Sequence, residues 1–125
     1  MAQYEHLPIF KKMMELSVLM ESGVQSFSRY HKYTLGSELR TMCHEGLGLI
    51  VEANSRTDRG EVLMRLRFLL ERIKIHLMLA CEVKAFQNRA AFSQATEMIV
   101  DLVVARSPDR ATTWVAAPEQ FMGKG

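Results

Sequence analysis

The stretch from Met64 to Ala80 most narrows what this chain can fold into. Leu66, Leu70, Ile73, Leu77 and Ala80 recur four and three residues apart, which sets them in one seam along a helix. At about 100° per residue, Met64, Phe68, Ile75 and Leu79 fall on the opposite side. A helix with two apolar faces cannot bury both inside a small four-helix bundle. The second face needs another surface, most simply another subunit, which makes these four residues the candidate oligomer interface. The alternative is a helix enclosed on all sides by its neighbours and the C-terminal tail.

Three further segments carry one apolar stripe each. Ile9, Met13, Leu16, Met20, Val24 and Phe27 recur at helical spacing after Pro8, a residue suited to a first helical turn. Ser28 to Tyr33 interrupts the pattern, and Thr34 can cap the next helix, with Glu38 one turn on. The second stripe is Leu35, Leu39, Met42, Gly46, Ile50 and Ala53. Gly46 and Gly48 cost about 1 kcal/mol each relative to alanine within a helix, and close helix approach is the expected compensation. Asp58 or Thr57 can cap the third helix and Asn88 the fourth. Phe92, Ala95, Ile99 and Leu102 point inward on the fourth, which Ser107-Pro108 should end.

The expected fold is all-α: helices near 8–28, 34–54, 58–85 and 89–107 form one domain over 1–107. The breaks are short, so consecutive helices run antiparallel in an up-down-up-down bundle. Residues 108–125, with Trp114, are expected to be a partly disordered tail. The composition agrees. Hydrophobic residues make up 48% and charged residues 24% of 125, as in an ordinary globular domain. Nine methionines against 3 prolines favour helix over a loop-rich β fold.

Two cysteines 38 residues apart form no disulfide framework, which points to a reducing compartment. The start, MAQYEHLPIF, lacks the basic flank and long apolar run of a signal peptide. The most apolar stretch, Ile73 to Ala85, is broken by Lys74, His76, Glu82 and Lys84 and is too short and too charged to cross a bilayer. The expectation is a soluble cytoplasmic protein with no membrane partner.

The residues that could carry chemistry do not assemble into a motif. Cys43, His44, Glu45, His76 and Cys81 could ligate a metal, but neither paired cysteines nor a glutamate followed three residues later by histidine occurs. Glu38, Glu45 and Glu52 lie seven apart on one helix face. They read as a solvated acidic edge or as partners for a neighbour's arginines. Gly46-Leu47-Gly48 lacks the third glycine and the preceding strand of a nucleotide-binding loop. No nucleophile–base arrangement is present. The chain reads as a non-enzyme with no metal, no cofactor and no small-molecule substrate.

The basic residues remain. The net charge is only +2, with Lys+Arg at 16 and Asp+Glu at 14. Locally it is stronger. Arg56, Arg59, Arg65, Arg67, Arg72 and Lys74 face only Asp58, Glu61 and Glu71 in the same stretch. Arg29, Lys32 and Arg40 face only Glu38, with Tyr30, His31 and Tyr33 interleaved. A guanidinium suits bidentate phosphate contact and stacking on bases. Repeated around a ring of subunits, such modest patches would become a phosphate attractor. The alternative is a solvated charged face.

The run Phe27-Ser28-Arg29-Tyr30-His31-Lys32-Tyr33-Thr34-Leu35-Gly36, followed by Glu38-Leu39, resembles the start of the second helix in the accessory variability determinant (Avd) proteins of diversity-generating retroelements. Ala53-Asn54-Ser55 resembles the close of that helix. Leu69-Leu70-Glu71-Arg72-Ile73 through Leu79-Ala80-Cys81-Glu82-Val83-Lys84 resembles the third. The resemblance implies a four-helix bundle assembled as a barrel-like homopentamer. It implies a non-catalytic accessory that binds the retroelement's reverse transcriptase and nucleic acid, notably template RNA. Its role would be to support mutagenic retrohoming, the adenine-directed copying of a template repeat into a target gene. Arg29, Lys32, Arg72 and Lys84 are the nucleic-acid contacts that the resemblance supports. Arg40, Arg65, Arg67 and Lys74 join them from local charge alone. The wider group includes the ribosomal-RNA intervening-sequence proteins. That likeness leaves open a structural or protein-interaction bundle that binds no nucleic acid, its arginines pairing with Glu38, Glu45 and Glu52 between subunits.

Overall fold

The structure, a computed structural model, describes residues 3–85 and 89–105. Every regular element among them is helical. A short turn at Gln3–His6 leads into α1, Pro8–Gln25. A helical turn at Arg29–His31 passes through a wide π-helical turn, Lys32–Gly36, into α2, Ser37–Asn54. α3 spans Gly60–Glu82 and α4 spans Arg89–Ala105.

Pro8 sits in the first turn of α1, as its fixed φ favours. The helix ends three residues earlier than the apolar stripe predicts. Ser26 closes it, donating its backbone N–H and its hydroxyl to the carbonyl of Gly23. Phe27 still reaches the core, from the turn rather than from the helix.

The first break is also misplaced by sequence reasoning. Helix resumes at Arg29, so Tyr30 to Tyr33 are helical and Thr34 is no N-cap. The Thr34 hydroxyl instead donates to the carbonyl of Tyr30 at 3.1 Å, one turn back within the helix. The π turn that follows turns two successive residues, Leu35 and Gly36, into the interior. A Cβ on Gly36 would lie 2.6 Å from Val24 Cγ1, so only glycine lets α2 begin this close to α1.

α3 starts at Gly60 rather than at 58. The Asp58 carboxylate accepts the Gly60 backbone N–H at 3.3 Å from just outside the helix. Its far end is also shorter than the expected 85. Lys84 adopts φ 63, the left-handed conformation usual for a glycine after a helix. Lys84 N–H then bonds Cys81 O at 3.1 Å, and Ala85 N–H bonds Ala80 O at 2.8 Å, the paired bonds of a Schellman cap. Asn88 as a cap, the Ser107-Pro108 stop, the last residues of the expected fourth helix and the tail with Trp114 lie outside the described residues.

The helices pack as a ring: α1 on α2, α2 on α3, α3 on α4, and α4 back on α1. α1 and α2 are antiparallel, since Glu21 meets Arg40 while Met13 meets Gly46. α2 and α3 are antiparallel too, with Glu52 beside Arg65 and Glu38 beside His76. Every residue expected on the inner stripes of α1, α2 and α3 is buried. On α4 Ala95, Ile99 and Leu102 are buried, and Phe92 is half-buried against the core. Burying one such leucine contributes about 1.5–3 kcal/mol, which is why these stripes dictate the ring.

The two central glycines of α2 differ. A Cβ on Gly46 would stand 2.8 Å from Met13 Cε, the close approach expected of it. A Cβ on Gly48 would meet nothing within 4 Å, so packing does not explain that glycine. Gly48→Ala should therefore raise unfolding free energy by about 0.5–1 kcal/mol through helix propensity. Gly46→Val should lower it by about 1–3 kcal/mol through overpacking against Met13. Lys84→Gly should gain about 1 kcal/mol by relieving the left-handed strain. Chemical denaturation midpoints of the three variants check all of this.

Candidate nucleic-acid interface

The aromatic and basic run that leads into α2 is the most exposed aromatic surface of the described chain. Tyr30 is 80% and Tyr33 73% exposed. The Tyr30 ring stands edge-on to His31, with centroids 4.9 Å apart. Arg29 is exposed and Lys32 half-buried beside them. The helical turn Arg29–His31 and the π turn after it thus present two aromatic faces and two cations from one short segment, where a loop would scatter them.

A shallow groove of about 470 Å³ opens next to this segment, between α2 and α3. One wall carries Tyr33, the hydroxyls of Thr34, Ser37 and Thr41, and the carboxylates of Glu38 and Glu45; the other carries Arg72 and His76. His76 is held at both ring nitrogens, with Nδ1 2.8 Å from Arg72 O and Nε2 3.0 Å from Glu38 Oε1. Both partners are acceptors, so both contacts become hydrogen bonds only when both nitrogens carry a proton. This pins Arg72's turn of α3 against α2. Among the described residues Arg72 makes no ion pair, leaving its guanidinium available in the groove.

The eight cationic candidates do not form one surface. Arg72 lines the groove, while Arg29 and Lys32 lie on the helical segment whose Tyr33 and Thr34 reach its wall. Lys84, at the end of α3, lies at the same end of the bundle, because α2 and α3 are antiparallel. Arg67 and Lys74 lie on the other flank of α3, towards α4. Arg40 and Arg65 are already partnered. Arg40 Nε sits 3.1 Å from Glu21 Oε1, and Arg65 Nη2 sits 2.8 Å from Glu52 Oε2, which Arg56 also contacts. Of the acidic row, Glu38 and Glu52 are therefore paired within the chain, and Glu45 has no ion pair among the described residues.

The hydrogen bond from Arg40, and its charge, hold the Glu21 carboxyl below its ordinary pKa against the opposing effect of partial burial. Burial pushes the Cys43 thiol up to about 12, with the Glu21 charge adding to the rise and the Ser17 hydroxyl opposing it. A thiol so placed is neither a nucleophile nor a ready metal ligand at neutral pH. Cys81 is half-buried and accepts from Arg89 Nη1 at 3.5 Å. Among the described residues no three His, Cys, Asp or Glu side chains gather into a metal-holding group. No helix among them is long and apolar enough to cross a membrane.

The four proposed interface residues are open to solvent on the single chain. Met64 is 48%, Phe68 59%, Ile75 59% and Leu79 50% exposed. No neighbouring helix among the described residues covers this face; the tail that the enclosed alternative also invokes lies outside them.

Sequence reasoning singled out Tyr33 and Arg72 separately but not their meeting across a groove, 39 residues apart in the chain. It also missed the hydroxyl wall, although Thr34, Ser37 and Thr41 stand at helical spacing. No sequence signal pairs Glu21 with Arg40. Comparison with protein-family models, curated proteins and solved structures finds no match for this chain.

Cys81 should react with a small alkylating agent in the native protein at pH 8, while Cys43 reacts only on unfolding; mass spectrometry of the labelled peptides distinguishes them. Because the folded Cys43 pKa is raised, its contribution to stability is complete below about 9 and is lost as pH rises towards about 12. Cys43→Ala should flatten that alkaline decline in the denaturation midpoint.

Proposed function

We propose that this protein is a non-catalytic adaptor that binds single-stranded nucleic acid, RNA above all, at the helical segment leading into α2 and the groove beside it. The arrangement that carries this reading is that exposed Tyr30 and Tyr33 share one short helical segment with Arg29 and Lys32, and that Tyr33 shares a groove with the ion-pair-free Arg72. Aromatic faces accept stacked bases and the cations accept phosphates, the combination that holds unpaired strands without strict sequence preference. The hydroxyls and carboxylates of the groove wall offer hydrogen bonds to base edges.

The resemblance to the Avd proteins makes the adaptor part of a diversity-generating retroelement, serving its reverse transcriptase during mutagenic retrohoming. It also supplies the subunit count, a homopentamer. The open apolar face of α3 supports self-assembly as such. The rival reading, a bundle that binds no nucleic acid, is favoured by one observation: Arg40 and Arg65 spend their charge on Glu21 and Glu52 within the chain.

Affinity for an unstructured RNA, measured against salt, separates the two. Binding should weaken steeply, with log K falling by about 0.7 per phosphate neutralised for each tenfold rise in salt. Arg72→Glu and Lys32→Glu should each flatten that slope. Tyr33→Ala should cost about 1–3 kcal/mol of affinity. Arg40→Ala should change little, since its charge is already paired. A response independent of salt, or no binding at low salt, sinks the proposal in favour of the rival.

A further inference from the structure

Glu45 and Arg72 stand on opposite walls of the groove between α2 and α3 without forming an ion pair. The register of the two helices sets them there. Glu52 meets Arg65 and Glu38 meets His76. Glu45 lies midway between the two glutamates, so it comes opposite the turn of α3 that bears Arg72. Both side chains are exposed. In the acidic row Glu38 holds His76 and Glu52 holds Arg56 and Arg65, while the Glu45 carboxylate has no ion pair among the described residues.

A groove that took only the phosphates of a strand would gain nothing from this carboxylate. A negative charge beside Arg72 repels phosphate and weakens the cation's pull on it. The opposed pair suits instead a ligand with hydrogen-bond donors on one edge and acceptors on the next.

From this we infer that the groove is a subsite for one guanine base of an unpaired RNA strand, with Glu45 reading its Watson–Crick edge and Arg72 its Hoogsteen edge. This rests on the proposed function and names the base which that site selects.

The chemistry of the bases makes the choice. Guanine presents two adjacent donors, N1–H and the 2-amino group, which a carboxylate accepts with both oxygens. Its O6 and N7 are adjacent acceptors that fit a guanidinium fork. Adenine sets the N1 lone pair beside its amino group, so an acceptor faces the carboxylate. The same amino group stands beside N7 and opposes a guanidinium. The pyrimidines offer the carboxylate one donor next to an acceptor, and they have no N7. Two of the five Arg72 N–H donors suffice for the fork, and the rest remain for phosphate. The groove, at about 470 Å³, lies within the range of small-ligand sites, about 300–1,000 Å³. Closure of Glu45 onto Arg72 as an exposed ion pair would gain little, so a base that holds them apart forfeits little.

The test is fluorescence anisotropy with four short oligouridine strands that differ at one central position: guanosine, adenosine, inosine or uridine. Adenosine is the reference, because both purines stack on tyrosine. The parent protein should bind the guanosine strand about tenfold more tightly than the adenosine strand. The inosine strand, which lacks the 2-amino donor, should fall between them. Glu45→Gln should abolish the difference. It should also bind the adenosine strand more tightly than the parent does, since one negative charge beside the phosphates is gone. Circular dichroism checks the fold of the variant, and the comparison of strands on the parent needs no variant. Equal binding of all four strands overturns the inference and leaves RNA binding standing; no binding of any strand at low salt overturns both. A Glu45→Gln variant that keeps the guanosine preference overturns the inference as well. So does guanosine monophosphate bound as tightly as the strand, which would make the ligand a free nucleotide.

Discussion

At Gly36 and Gly46, α2 comes so near α1 that an added methyl group would overlap Val24 and Met13. This backbone approach fixes the rotation of α2 about its own axis. With that rotation set, Leu39, Met42, Ile50 and Ala53 face the interior, and the row of Glu38, Glu45 and Glu52 faces α3. The same approach anchors the π turn, where Leu35 and Gly36 both turn inward and Tyr33 and Thr34 remain outside. The groove and the aromatic pair are therefore a consequence of how tightly two helices pack, one step removed from the residues that line it.

Once the core is formed, the charged residues divide by what stands opposite them. Glu52 lies between Arg56 and Arg65, and Glu21 faces Arg40, so the charge of those arginines is wholly or partly offset in place. Pairs this exposed contribute little to stability, but they decide which positive charges remain for a partner. Among the described residues, the cations without an ion pair include Arg29, Lys32 and Lys84 at the end of the bundle where α2 begins, Arg72 in the groove, and Arg67 and Lys74 on the α4 flank of α3. A net charge of +2 thus hides a local set of cations beside exposed aromatic rings.

Much of the fold was legible in the sequence. The inner stripes of α1, α2 and α3 are buried as their spacing predicts, because burial of apolar area outweighs every local preference along them. The two-faced character of α3 was equally plain, and its second face is open. Errors fall where backbone detail decides. The polar and aromatic stretch from Ser28 to Tyr33 reads as a break, yet most of it is helix, since a π turn absorbs the change of period. Lys84 stands in a conformation that sequence reasoning reserves for glycine, so the end of α3 was drawn too late. Gly46 and Gly48 look alike in the sequence, and only one lies against a neighbour.

Spacing alone determined an all-helical chain with four apolar stripes, a helix greasy on both sides and basic segments mixed with tyrosines. These properties follow from the periodicity of the helix, which needs no knowledge of neighbours. Tertiary structure alone decided that Arg40 is paired with Glu21 while Arg72 makes no ion pair, and that Tyr33 meets Arg72 across a groove. Coulomb energy and packing depend on distances between residues far apart in the chain, and those distances exist only once the helices have met.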